Sequence, residues 1–299
     1  MTSPLLTLFS APKPFDREHI ALIQRNAIRS WLALGPAVEV LLLGDEPGLA
    51  ETAAELGVRH LPEVARNEQG TPLISSIFAR AREAARAPYL AYFNADIIVL
   101  PDFLQAVQAV TAAVADRFLM VGRRWDVDIT TPLAFGQGWA DRLREEVSRR
   151  GRLHSPFGID YFVFPKAAYA DMPPFAVGRA GWDNWMIYHA RARRWKVIDA
   201  TPDVLAVHQN HDYAHLAGRR VYDVEESQVN VRLAGGRSRM FSLWEATHRL
   251  ENGRLRRYFR PHIALLRRVE LGLQRRGYPR SRVALALLNF ARNRLKALQ

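Results

Sequence analysis

Over its first hundred residues the chain alternates short apolar runs with segments of helical periodicity, and this order restricts the fold more than any other feature. LLTLF (5–9) reads as a strand, residues 17–34 carry apolar side chains at helical spacing, and VEVLLLG (38–44) is an apolar run closed by Gly44 and Asp45. LAETAAELG then reads as a short helix ended by Gly57, VRHLPEV as a strand, and residues 73–87 as a helix. Strands separated by helices are joined by crossovers, which make parallel sheets covered on both faces. The expected fold class is therefore α/β, a mixed but mostly parallel Rossmann-like sheet flanked by helices.

Open sheets of this kind bind ligands beyond the carboxyl ends of their strands. In YLAYFNADIIVLPDFL (89–104) an apolar run stops at Asn94, offers the carboxylate of Asp96, and passes Pro101 into a new helix. Asp96 is thus a candidate ligand-binding residue. The middle of the chain is less regular. FLMVG (118–122) and IDYFVFP (159–165) read as strands around a loop and a charged helix near 139–150. GRAGWDNWMIYHARARRW (178–195) is helical after Gly181, and VLAVHQNH (204–211) is a strand that ends in histidine. Residues 1–252 read as one domain and 253–299 as a basic helical tail. On the last helix Ala284, Leu287, Leu288, Ala291, Leu295 and Leu298 share a face, with Arg292, Arg294 and Lys296 elsewhere. Such a helix either lies on an anionic membrane or packs its leucines on the parent domain.

With 299 residues, 48% of them hydrophobic, the chain can bury a sizeable core. It has no cysteine, which excludes disulfides, zinc–thiolate sites and thiol nucleophiles. A cytoplasmic protein is expected, since the N-terminus shows no basic start or cleavage site and no stretch approaches the roughly 20 apolar residues of a membrane span. The net charge of +12 suits nucleic acid, an anionic membrane or a phosphorylated small molecule. No helix-turn-helix, zinc finger or aromatic RNA motif accompanies it, so nucleic acid is not the expected partner.

The order of strand, Gly-Asp, strand, helix, apolar strand ending in N-A-D, and then IIVLPDFL resembles nucleotide-sugar glycosyltransferases of the GT-A fold, of the bacterial family 2-like type, over roughly residues 5–215. The resemblance implies a UDP- or GDP-linked donor and an Asp-x-Asp element that holds Mn²⁺ or Mg²⁺ on its diphosphate. Asp96 is then a metal ligand, and Asn94 stands where the family usually has the first Asp. His208 is implied as a second ligand; its alternative is a strand-end histidine bonded to backbone, and His211 and His215 rank behind it. A literal D-x-D at Asp126 and Asp128 is the rival metal element, or else a loop lining the acceptor or sugar site beside Arg123, Arg124 and Trp125.

GRAGWDNW resembles the segment whose carboxylate takes the acceptor proton in inverting GT-A enzymes, which makes Asp183 the candidate base. Its alternative is compensation of the helix dipole, and Asp160 is the rival carboxylate. Trp182 and Trp185 would form an apolar wall for a sugar ring, or else belong to the core. Asp45 and Ser10 would meet base or ribose, and Arg66 with Thr71 phosphate or uracil. The expected activity is metal-dependent, inverting transfer of a sugar to a hydroxyl of a saccharide or lipid-linked acceptor, in the cytoplasm or at the inner membrane face. A sugar-1-phosphate nucleotidyltransferase would need a glycine-rich basic loop after the first strand, which FSAPKPFD lacks. A non-catalytic polyanion-binding protein is the alternative from outside enzymology.

Overall fold

The computed structural model describes residues 3–211, 224–274 and 282–296. Strands β1 (Leu6–Ser10), β2 (Val38–Leu43), β3 (Arg59–Leu61) and β4 (Tyr89–Phe93) alternate with helices α1 (Glu18–Leu32), α2 (Leu49–Leu56) and α3 (Ile74–Ala84), as the sequence pattern predicts. Helix α3 stops short of residue 87, and the backbone is already extended at Ala85 on its approach to Pro88. These strands join β6 (Phe118–Val121), β9 (Tyr161–Pro165), β10 (Lys196–Asp199), β12 (His248–Glu251) and β13 (Arg254–Arg257) in a nine-stranded sheet ordered β13-β12-β10-β6-β9-β4-β1-β2-β3. Among them β9 and β13 run against the rest.

Alternation along the strands fills a core on each face. On one side Leu6, Leu8, Ala91 and Phe93 pack with Trp31 of α1 and with Phe103 of α4 (Asp102–Ala113). On the other, Phe9, Leu90 and Tyr92 pack with Phe78 of α3 and with Trp182 and Met186 of α6 (Trp182–Ala192).

A second sheet sits where the parallel strands end. β4 continues through Asn94–Asp96 into β5 (Ile97–Val99), β6 through Gly122 and Arg123 into β7 (Arg124–Val127), and β10 through residues 200–205 into β11 (Ala206–Gln209). With β8 (Arg152–Leu153) they form a sheet ordered β5-β11-β7-β8. The step from β6 to β7 requires glycine, because a Cβ at Gly122 would stand 2.1 Å from the Tyr161 hydroxyl. The outer edge of β5 is closed by polar side chains of α1. Trp31 Nε1 donates to the Ile97 carbonyl at 2.9 Å, and Val99 N–H donates to Ser30 Oγ at 3.2 Å. These bonds satisfy edge groups that would otherwise be buried unpaired.

The main sheet extends beyond residue 252. The turn at Asn252 and Gly253 joins β12 to β13, so the expected domain boundary falls inside a hairpin. The charged strand RLRR carries no apolar alternation by which sequence could reveal it. Helix α8 (Pro261–Gln274) then packs on the body: Ile263 is fully buried, and the buried Arg267 reaches Glu245 at 2.6 Å. Helix α9 (Arg282–Lys296) buries Ala291 and exposes Val283, Leu287 and Phe290, while Leu298 lies outside the described residues.

Candidate active site

The register of the small sheet assembles a cluster from residues distant in sequence. His208 on the inner strand β11 pairs with Ile97 of β5 on one side and with Asp126 of β7 on the other. Asp96 immediately precedes Ile97, and His211 follows two residues after β11. One donor atom from each of Asp96, His208 and His211 lies within 4.8 Å of the others. Asp96 Oδ2 is 3.0 Å from His211 Nε2 and 3.8 Å from His208 Nε2. The other oxygen, Oδ1, is buried and has no hydrogen-bond partner among the described residues. Two imidazoles and a carboxylate, one of whose oxygens is buried and unsatisfied, are donors that could hold a divalent metal ion, and the residues present fit that group.

The far side of His208 faces a second carboxylate. Nδ1 stands 3.1 Å from Asp126 Oδ1, at ion-pair distance but not aligned as a hydrogen bond. Asp126 also contacts His154 Nδ1 at 2.7 Å and accepts from Arg124 Nε at 2.9 Å. Burial alone would raise both Asp96 and Asp126. For Asp96 the hydrogen bond to His211 and the charges of His208 and Lys13 win, and for Asp126 the contacts with His208, His154 and Arg124 do. Both carboxyls are held well below their ordinary range. Burial pushes His208 down, but Asp126 and Asp96 outweigh it and raise its proton affinity.

The cluster opens onto a cleft of about 760 Å³. Its lining includes Lys13 and Arg17 from the loop after β1, Gly44 and Glu46 after β2, Asn94 and Asp96 after β4, and Phe157, Asp160 and Asp183. Asp183 lies in the first turn of α6, which begins at Gly181 with φ +108°; a Cβ there would meet Met240 Cε at 2.3 Å. Asp183 Oδ1 accepts from Gly181 N–H at 3.3 Å. Burial raises the Asp183 carboxyl, the charge of Asp160 adds to this, and nearby backbone N–H groups oppose it; the result is about 6.

The expected site residues divide by position. Asp96, Asn94, His208, Arg124, Asp160, Asp183 and Trp182 all line the cleft. Asn94 donates its amide to Asp160 Oδ1 at 2.6 Å, and Asp160 Oδ2 accepts from Arg124 at 2.7 Å, so both Asp160 oxygens are engaged. Asp126 stands behind His208, while Asp128 is exposed and accepts from Asn210. Four expectations do not hold as placements in the cleft. Ser10 is fully buried, its hydroxyl spent on the Phe93 carbonyl at 2.7 Å. Asp45 and Arg66 pair with each other outside the lining, where Arg66 also meets Glu46 at 2.8 Å. Trp185 packs on Phe175 and His189 in the core. Trp182 touches the cleft, but its ring is 5.1 Å from Tyr92 and 5.4 Å from Phe162 and is almost wholly buried. On a helix packed on a sheet, residues i and i+3 share the inward face.

His211, placed with His215 behind His208 in the sequence reading, joins the cluster, and His154, Lys13 and Phe157 carry no sequence signal that marks them. His215 lies outside the described residues.

No protein-family model matches the chain, and no curated protein matches it. Among solved structures, S. aureus TarS residues 1–349 in complex with UDP-GlcNAc is similar over 77% of this chain and 65% of that chain, at 13% identity and a TM-score of 0.50. Glucosyl-3-phosphoglycerate synthase from Mycobacterium tuberculosis, in complex with Mn²⁺, UDP and phosphoglyceric acid, aligns over 78% and 79% of the two chains at 15% identity and a TM-score of 0.48. The likeness to the TarS fragment is one of fold: the chain has the mostly parallel α/β architecture of the GT-A type.

Two outcomes follow from the geometry. If Asp126 orients His208, Asp126→Asn lowers the affinity for Mn²⁺, read by electron paramagnetic resonance, by about 10- to 100-fold; unchanged affinity would show that His208 is held without it. Burial makes Asp183 bind its proton more tightly in the folded chain than an ordinary aspartate does. Its contribution to stability is therefore greatest below about pH 4 and declines as pH rises to about 6. Asp183→Asn should melt above wild type at about pH 7.5 and level with it near pH 4. A variant that melts lower at both pH values would mark the carboxylate as a helix-stabilising group.

Proposed function

We propose that the chain is a metal-dependent glycosyltransferase that moves a sugar from a nucleoside-diphosphate donor to a hydroxyl acceptor with inversion at the anomeric carbon. The observation that carries this reading is the Asp96–His208–His211 donor set in a cleft that also holds a separate, proton-accepting carboxylate at Asp183. Asp96, His208 and His211 would hold the ion; two nitrogen donors suit Mn²⁺ better than Mg²⁺, which prefers oxygen. When bound, a divalent ion supplies positive charge to the diphosphate leaving group. Asp183, ionised above about pH 6, takes the acceptor's hydroxyl proton on its carboxylate. The acceptor oxygen then bonds to the anomeric carbon as the bond from that carbon to the diphosphate oxygen breaks. Asp160 has both carboxylate oxygens tied to Asn94 and Arg124, and its charge adds to the burial that raises Asp183's proton affinity.

The TarS fragment is described with UDP-GlcNAc, which supports UDP as the first nucleotide to try. UDP should raise the melting temperature more with Mn²⁺ than without it, because a ligand that binds only the folded chain stabilises it. Asp96→Asn should remove the metal-dependent part, and Asp183→Asn should keep it while losing about 10²- to 10⁴-fold in turnover. A response to both UDP and GDP that is indifferent to Mn²⁺ in the wild-type chain would refute the reading.

Attachment to an anionic membrane face belongs to the same proposal. Among the described residues no helix is long and apolar enough to cross a membrane. The support is the run of Val283, Leu287 and Phe290 exposed on α9, together with exposed Arg254, Arg256 and Arg257 on β13. Serine at all three apolar positions should abolish co-sedimentation with phosphatidylglycerol vesicles at unchanged melting temperature. Equal co-sedimentation would remove the helix from this role.

A further inference from the structure

We infer that Phe157 is the platform of an acceptor subsite that takes a pyranose ring, so that the acceptor is a saccharide; this rests on the glycosyltransferase reading and names its second substrate class. Phe157 lines the cleft and is 37% exposed, whereas Tyr92 and Trp182, the other large aromatic residues of the lining, are 1% and 5% exposed. The most exposed aromatic ring of the lining is therefore neither of the tryptophans that the sequence suggests.

Its placement is fixed by packing. Trp244 meets the Phe157 ring edge-to-face at 4.8 Å, and the Arg267 guanidinium lies 5.7 Å from its centroid. Arg267 is itself buried and held by Glu245, so α8, within the segment expected to be a separate tail, supports this wall of the cleft. The backbone is held as well. The buried Asn184 amide donates to the carbonyls of Phe157 at 3.3 Å and Phe241 at 2.8 Å, and Leu243 N–H donates to the Pro156 carbonyl at 3.1 Å. Asn184 follows Asp183 in α6, so one amide ties the exposed ring to the turn that carries the base.

The surroundings select the occupant. In the segments around Phe157 the lining offers polar groups on His154, Ser155, Asp183 and Asn184, beside Gly158 and the apolar Ile159 and Trp182. A pyranose presents an apolar C–H face to an aromatic ring and hydroxyls at its edge to polar neighbours, which matches one phenyl ring in a polar frame.

The test uses the full chain with UDP and Mn²⁺, a panel of methyl pyranosides as probes, and saturation-transfer NMR. At least one glycoside should bind with strongest transfer to the hydrogens of one ring face. Phe157→Leu, which keeps apolar bulk, should weaken that binding about tenfold, and Phe157→Tyr should retain it. The UDP–Mn²⁺ melting shift should be equal in all three chains, showing an intact fold and donor site. Binding that is equal in the leucine variant overturns the proposal, as does a chain stabilised by UDP and Mn²⁺ that binds none of the glycosides. Ring-dependent glycoside binding upholds the subsite even if UDP fails to stabilise the chain, so the two readings fail separately.

Discussion

The site depends on the pairing of β11 between β5 and β7. That register sets His208 opposite both Ile97 and Asp126, and so places residues more than eighty positions apart in sequence within contact. A shift of one residue would turn His208 to the opposite face of its sheet and leave Asp96 and Asp126 without it. The register is secured from outside the sheet by α1. Gln209 donates to the Ile23 carbonyl at 2.7 Å and accepts from Asn26 at 3.0 Å, while Trp31 and Ser30 close the β5 edge. The first helix of the chain thereby determines the geometry of residues near its position 208.

The cleft and the groups behind it hold carboxylates shifted in opposite directions, and the difference comes from neighbours rather than from burial. Asp96 and Asp126 are each surrounded by imidazoles and cations, which favour the ionised form. Asp183 has backbone N–H groups and another carboxylate instead, and desolvation dominates. Groups that stay charged are suited to holding a cation, and a group that titrates near neutrality is suited to moving a proton.

Much of the large sheet was legible because its strands are continuous apolar runs bounded by glycine, proline or charge. Asp96 could be found for the same reason, as the first carboxylate after such a run. The small sheet was not legible. β5 is three residues long and merges with the apolar run before it, and RWDV in β7 reads as a polar loop. Without β7, Asp126 had no visible relation to His208, and the D-x-D it belongs to directed attention to Asp128, which is exposed. Gln24, Asn26 and Ser30 of α1 are fully or almost fully buried, yet in the sequence they look like the solvent side of an amphipathic helix. Helical spacing placed Trp182 and Trp185 on one face correctly but could not say that this face meets the sheet. Phe157, in a turn without periodicity, depends wholly on tertiary packing for its position.

The edge strand β13 gives the large sheet a border of arginines, with Arg254, Arg256 and Arg257 all exposed and, among the described residues, paired to the sheet through β12 alone. A sheet of this width would otherwise end in unpaired backbone groups open to any extended chain. A second strand approaching that edge would have to strip water from several guanidinium groups held close together, and two copies meeting edge to edge would bring like charges into register. Lateral growth of the sheet is thus opposed at this boundary by hydration and repulsion, and the resistance should weaken as salt screens the charges.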